Sequence, residues 1–147
     1  MSEVNQRNAT NNQSTADYSC NRIFLFDNKY QEGIFKNNTA GALTLKAGML
    51  VLRDTTTPTQ VVPAIAGATL VDVIGIVKLS EDVELAAGET VDINFAISGD
   101  IDETHLVLPD TVTLETVPTG GTRTLRDTLN ALGLSLKGSV QNTKFDN

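Results

Sequence analysis

One histidine, His105, and one cysteine, Cys20, are all that this 147-residue sequence offers of the side chains that most often act as bases, nucleophiles or soft metal ligands. A Ser-His-Asp triad would need His105 to face a matched serine, and Ser98, Ser135 and Ser139 stand in no G-x-S-x-G context. His105 therefore reads as a surface histidine in an acidic loop. A single cysteine forms neither an intrachain disulfide nor a thiolate zinc cluster, so Cys20 reads as an ordinary small residue in a reducing compartment. Asp100, Asp102 and Glu103 bring three carboxylates together, but the D-x-[DN]-x-[DN]-G order of a calcium loop is missing, and a solvated acidic turn is expected. The phosphate-cradling patterns G-x-x-x-x-G-K-[ST] and G-x-G-x-x-G do not occur. The expectation is a protein that is not an enzyme, with no catalytic residue, no cofactor and no metal.

Eighteen acids against eleven bases give a net charge of -7, the wrong sign for a phosphate backbone, whose binding is driven by clustered Lys and Arg. From Asp72 to Glu115 the only base among the acids is Lys78, so one region is strongly anionic. It is expected to face outward or to border an oligomer axis. Aromatic residues are 5% of the chain and tryptophan is absent, which leaves few platforms for stacking bases or sugars. No apolar run approaches the roughly 20 residues of a membrane helix. The segment Met1–Arg7 carries neither a basic nor an apolar signal region, so the chain is expected to stay in the cytoplasm where it is made.

The elements that must position any site are mostly strands. In Val91–Ser98, Val91, Ile93, Phe95 and Ile97 alternate with Asp92, Asn94, Ala96 and Ser98, the pattern of a half-buried antiparallel strand. Ile23–Asp27, Gly33–Lys36, Met49–Arg53, Gln60–Val62, Val71–Leu79 and Val112–Leu114 are further short strands bounded by turn residues. Val71–Val77 is apolar at both parities around Gly75, which predicts a strand buried on both faces or bent at a bulge. The pattern L-x-A-G-x-x-V occurs at Leu45–Val51 and again at Leu85–Val91, each placing a glycine where a turn needs positive φ. A β-unit used twice and a coincidence are both compatible with so few matched positions.

One helix is expected, over Thr122–Gly133, with Thr122 as N-cap, Gly133 at C′, and Leu125, Leu129 and Leu132 on one stripe. So short a helix needs tertiary packing, against the sheet by default or against another subunit. Residues 1–20 are dominated by Asn, Gln, Ser and Thr and cannot offset the entropy of ordering, which makes them a flexible arm. The remainder, 21–147, is a single β-rich domain. The arm is either an inert tail or a segment that orders on a partner.

Ser98–Pro109, then Thr124–Gly133, then the closing Thr143-Lys144-Phe145-Asp146-Asn147, with Leu45–Leu52 and Ile74–Val77 upstream, resemble in their order the head decoration proteins of tailed bacteriophages. The resemblance covers about residues 40–147. It implies a small β-barrel or β-sandwich-like domain of the β-tulip type. Such a protein is a homotrimer on local threefold positions of the capsid exterior, bound to the major capsid protein. It also implies that the amino-terminal arm orders against the shell, which makes Asn5, Asn8, Asn11, Gln13 and Tyr18 the arm residues expected to touch it. The longer arm and the insertion-like Asn28–Gly33 segment depart from the shortest members. Leu106, Leu108, Leu125, Leu129 and Leu132 are the candidates for contacts within a trimer.

Three other classes compete. A trimeric deoxyuridine triphosphatase would need a glycine-rich phosphate motif with Arg and Ser, and none appears; a biotinyl-type carrier would need a lysine flanked by methionines, and Lys46 near Met49 does not fit. A phage fibre-base or host-adhesion module would share the β-rich, oligomeric and non-catalytic character.

Overall fold

A computed structural model describes residues 23–65 and 68–138. Cys20 and the whole amino-terminal arm lie outside the described residues. The described chain holds eight strands and one α-helix: β1 (Phe24–Lys36), β2 (Leu43–Leu45), β3 (Leu50–Arg53), β4 (Gln60–Pro63), β5 (Val73–Lys78), β6 (Val83–Leu85), β7 (Thr90–Asp102), α1 (Leu125–Leu132) and β8 (Leu134–Lys137). This is the mainly β architecture with one helix that the alternating sequence pattern predicts.

The pairings close on themselves. β1 pairs with β4 in parallel, β4 with β3, β3 with β5, β5 with β7 and β7 with β1, all antiparallel after the first. β8 adds in parallel to the far end of β7, Gly99 opposite Leu134. Each strand of the ring sends a side chain into one apolar cluster: Phe35, Val61, Val51, Val77, and Ile93 with Phe95. Leu45 and Leu85, from the separate β2–β6 pair, complete that cluster. The opposite parity, including Leu50, Leu52, Val62, Ile76 and Ala96, packs in a second cluster under Leu125, Leu129 and Leu134. β3 and β5 are therefore buried on both faces; for β5 the apolar run around Gly75 predicts either this or a bulge, and a register shift against β3 between Gly75 and Val73 is present as well.

Three expected strands have other forms. The one expected over Val71–Leu79 is shorter, β5 starting at Val73 after a 3-10 turn over Leu70–Asp72 and ending at Lys78. β1 runs unbroken through Asn28–Gly33, with register shifts against β7 between Phe24 and Tyr30. The segment that reads as an insertion is thus the middle of a bulged strand. Val112–Leu114 is not a strand; its carbonyl neighbours instead serve the helix, the Leu125 N–H donating to the Thr116 carbonyl at 2.8 Å and the Arg126 N–H to Leu114 at 2.9 Å. Leu114 is apolar because it is buried in the cluster beneath α1. The helix starts two residues later than its leucine spacing suggests: Thr124, not Thr122, is the N-cap, its hydroxyl accepting from the Asp127 N–H at 3.2 Å. Gly133 ends it in the left-handed region, as expected.

The repeated L-x-A-G-x-x-V is one unit used twice. The N–H of Met49 donates to the Lys46 carbonyl and that of Glu89 to Ala86, forty positions on. The fourth side chain of each turn closes it: the Lys46 N–H donates to Met49 Sδ, the Ala86 N–H to Glu89 Oε1. The units also hold each other. The Asn37 N–H donates to the Glu89 carbonyl while the Val77 N–H donates to Met49; the Gly88 N–H donates to Asn37 while the Gly48 N–H donates to Val77. β2 and β6 lie between them, antiparallel about the Thr44–Glu84 pair, whose side chains are hydrogen bonded. A local twofold relates the two units.

The two turn glycines separate strain from crowding. Both have positive φ, 95° at Gly48 and 81° at Gly88, but a Cβ on Gly48 would lie 2.6 Å from the His105 carbonyl oxygen, whereas one on Gly88 meets nothing within 4 Å. Gly88→Ala is expected to cost about 1 kcal/mol from left-handed strain alone. Gly48→Ala is expected to cost about 3 kcal/mol, since backbone must move as well. Urea unfolding of the two variants side by side checks this; equal losses would be inconsistent with the crowding at Gly48.

Candidate interaction surface

The acidic turn that the sequence places at residues 100–105 is a structural cap. Asp102 is buried, 4% exposed, and its Oδ1 accepts from the Thr104 N–H at 3.0 Å and the Thr104 hydroxyl at 2.7 Å. Its Oδ2 lies 3.2 Å from Nδ1 of the half-exposed His105. Asp102 is thus not the solvated carboxylate expected, because a three-residue helical turn needs its N–H groups satisfied. Glu103 reaches away and takes a two-pronged contact from the Arg126 guanidinium, at 2.9 and 3.1 Å. Arg126 also donates to Glu115 at 2.7 Å, and these two carboxylates hold its proton more firmly than in free arginine. The network ties the 103–115 segment to α1. Among the described residues no cluster of three or more His, Cys, Asp or Glu side chains is placed to hold a metal ion.

Eight of the eleven acids between Asp72 and Glu115 are exposed, including Glu81, Asp82, Glu84 and Glu89 at the β6 end. Lys78, its one base, sits over the Tyr30 ring with Nζ 4.4 Å from the centroid. No helix of the described residues is long and apolar enough to cross a membrane.

The leucines proposed for subunit contact divide. Leu125 and Leu129 are fully buried in the chain's own core and present no surface to another subunit, so the core explanation replaces the contact one for both. Leu106 and Leu108 are half-buried against the same cluster. Leu132 alone of the helical stripe is exposed, at 39%. The arm residues Asn5, Asn8, Asn11, Gln13 and Tyr18 lie outside the described residues.

The apolar surface that stands out is on β1. Leu25, Phe26, Tyr30 and Ile34 are all exposed, Phe26 at 72%. β7 lies along one edge of this strand, but β4 covers the other edge only at Ile34 and Phe35. Among the described residues no second strand flanks its first two-thirds. Phe24 turns inward, its ring edge-on to Tyr30 at 5.6 Å. In a regular strand Phe26 would share that inward face; the register shift between Phe24 and Phe26 turns it out. The run Phe24-Leu25-Phe26 puts apolar side chains on both faces of a strand, a sign that one is exposed wherever only one face is covered, though not which one. A second exposed set, Ile65, Val107 and Val117, lines adjoining depressions between residues 65 and 68–70 on one side and 107–119 on the other.

No protein-family model matches the chain, and no curated protein matches it.

Proposed function

We propose that this chain is a structural protein of a tailed-phage virion, which binds the exterior of the mature capsid as a trimer at local threefold positions and stabilises the shell. The order of motifs from Leu45 to Asn147, which resembles that of head decoration proteins, supports this reading. So does a mainly β domain whose described residues hold one α-helix, Leu125–Leu132. The observation that carries it is the exposed apolar stripe of β1, Leu25, Phe26, Tyr30 and Ile34, which follows directly on the amino-terminal segment. A monomeric protein gains nothing from Phe26 in water, whereas a protein-binding face does.

The mechanism is multivalent. A threefold cap engages three equivalent places at once, so a weak contact per subunit becomes a tight whole when the lattice spacing matches. A shell state with the matching spacing is then stabilised over one without it, by the difference in affinity. The arm adds main-chain hydrogen bonds by pairing with an exposed strand of the major capsid protein. The cap would be made in the host bacterial cytoplasm and end on the virion surface. It needs no nucleic acid or membrane partner.

Purified protein mixed with undecorated mature heads and with precursor shells is expected to pellet with the former only. Equal pelleting, or none, refutes the mechanism. Phe26→Ser is expected to weaken each contact about 30-fold, the loss of roughly 2 kcal/mol of apolar burial, without moving the unfolding midpoint. Deleting residues 2–18 reports on the arm separately; unchanged binding would make it inert.

A further inference from the structure

We infer that the apolar groove between residues 65 and 68–70 on one side and 107–119 on the other is the docking site for the segment that follows β8, residues 139–147, with Phe145 seated in it. The groove consists of two depressions sharing Ile65. The larger, about 360 Å³, is lined by Ile65, Leu70, Val112, Val117 and Pro118; the smaller, about 190 Å³, by Met49, Val107 and Leu108. Three large aliphatic side chains, Ile65, Val107 and Val117, are exposed along it.

Reach favours this occupant. A Cβ at Gly138 would lie 3.8 Å from Glu103 Oε1, and Glu103 is joined through Arg126 to Glu115, the residue before the groove's Thr116–Thr119 wall. Bond lengths along this relay put Gly138 within about 18 Å of Glu115, while the seven residues from 138 to 145 extend to about 23 Å. Chemistry favours it too. Val140 and Phe145 are the only large apolar residues of 139–147, and Phe145 follows Lys144, which suits a groove bordered by Asp110 and Glu115. The segment covers the exposed aliphatic side chains and sets its lysine against the carboxylates at the rim. This inference is independent of the proposed virion role.

The test uses the full chain in a Cys20→Ser background, with Thr119→Cys and Asp146→Cys leaving Phe145 and Val117 in place. Diamide takes two hydrogens from the thiol pair and leaves a disulfide. An intramolecular bond is expected, with the protein remaining monomeric by mass, at least tenfold faster than in a control pairing Asp92→Cys with Asp146→Cys. In the wild-type chain, the methyl resonances of Ile65 and Val117 are expected upfield and to lose that shift in Phe145→Ala. Disulfide-linked dimers in place of the internal bond would assign the groove to a second copy and overturn the inference. So would methyl resonances insensitive to Phe145→Ala, or ones that respond to Tyr18→Ala instead, the amino-terminal segment entering close by where Ile23 packs on Gly48.

Discussion

Gly75→Ala is expected to lose about 3–4 kcal/mol, a large share of the stability of a domain this size. A Cβ there would stand 2.5 Å from Phe95 Cδ2 and 2.6 Å from the Ala96 carbonyl oxygen. Neither can retreat. Phe95 is fully buried inside the ring of strands, and its far side is pressed on Gly33, where a Cβ would lie 2.9 Å from Cε1. The phenyl ring is therefore wedged between two glycines on β1 and β5, and it can slide toward neither. Gly33→Ala meets only the ring edge, so a loss of about 1–2 kcal/mol is expected. Adding Phe95→Leu to Gly75→Ala should recover part of the deficit, since the ring contact goes while the carbonyl contact stays. Urea unfolding with unchanged m-values measures all three. A Gly75→Ala variant within 1 kcal/mol of the parent would contradict the wedge.

Asn37→Ala is expected to cost about 3 kcal/mol, because it empties a fully buried site, takes a donor from the buried Leu85 carbonyl and removes the side chain's ties to Gly41, Ala86 and Thr39. The Asn37 side chain is wholly buried, and its Nδ2 donates to the carbonyls of Gly41, Leu85 and Ala86 at 2.9, 3.1 and 3.2 Å. Its Oδ1 accepts from the Thr39 N–H and hydroxyl. One side chain thus joins the end of β1 to the turn after β6. Asn37→Asp should be worse, since a carboxylate would face those same carbonyl oxygens. Thr39→Val, which removes only one hydroxyl at the edge of the cluster, should cost about 1 kcal/mol. Amide exchange at Gly88, whose N–H donates to the Asn37 carbonyl, is expected to quicken in Asn37→Ala before the global transition. Unaltered protection there would show that the side chain does not hold the turn.

What could be read from the sequence followed burial. β7 was legible because Val91, Ile93, Phe95 and Ile97 alternate cleanly, and β5 because its apolar residues fill both parities. β1 was legible only at its ends, since its middle, Asn28–Glu32, carries almost no apolar residue and is held by pairing with β7. β2 and β6, three residues each, offer too short a pattern to count, and what fixes them is each other. The leucine stripe predicted the helix but not its fate. Leu125 and Leu129 face the core while Leu132, the last residue of the helix, has passed its edge. Asp102 misled because an acidic run looks the same whether its carboxylates meet water or cap a turn. Of the candidate surface, Phe26 owes its exposure to a bulge, which alternation cannot foresee.

The reciprocal hold between the two β-units has a consequence for how the chain comes off the ribosome. Residues 37–49 cannot complete their hydrogen bonds until residues 77–89 have been made, since every cross-link between the units needs both. At ordinary synthesis rates that interval is about 2–8 s for forty residues. For those seconds the nascent first half carries Leu45, Met49 and an unpaired β2 edge without shelter. Folding is thereby deferred to the moment the second copy of the motif emerges, and then both close together.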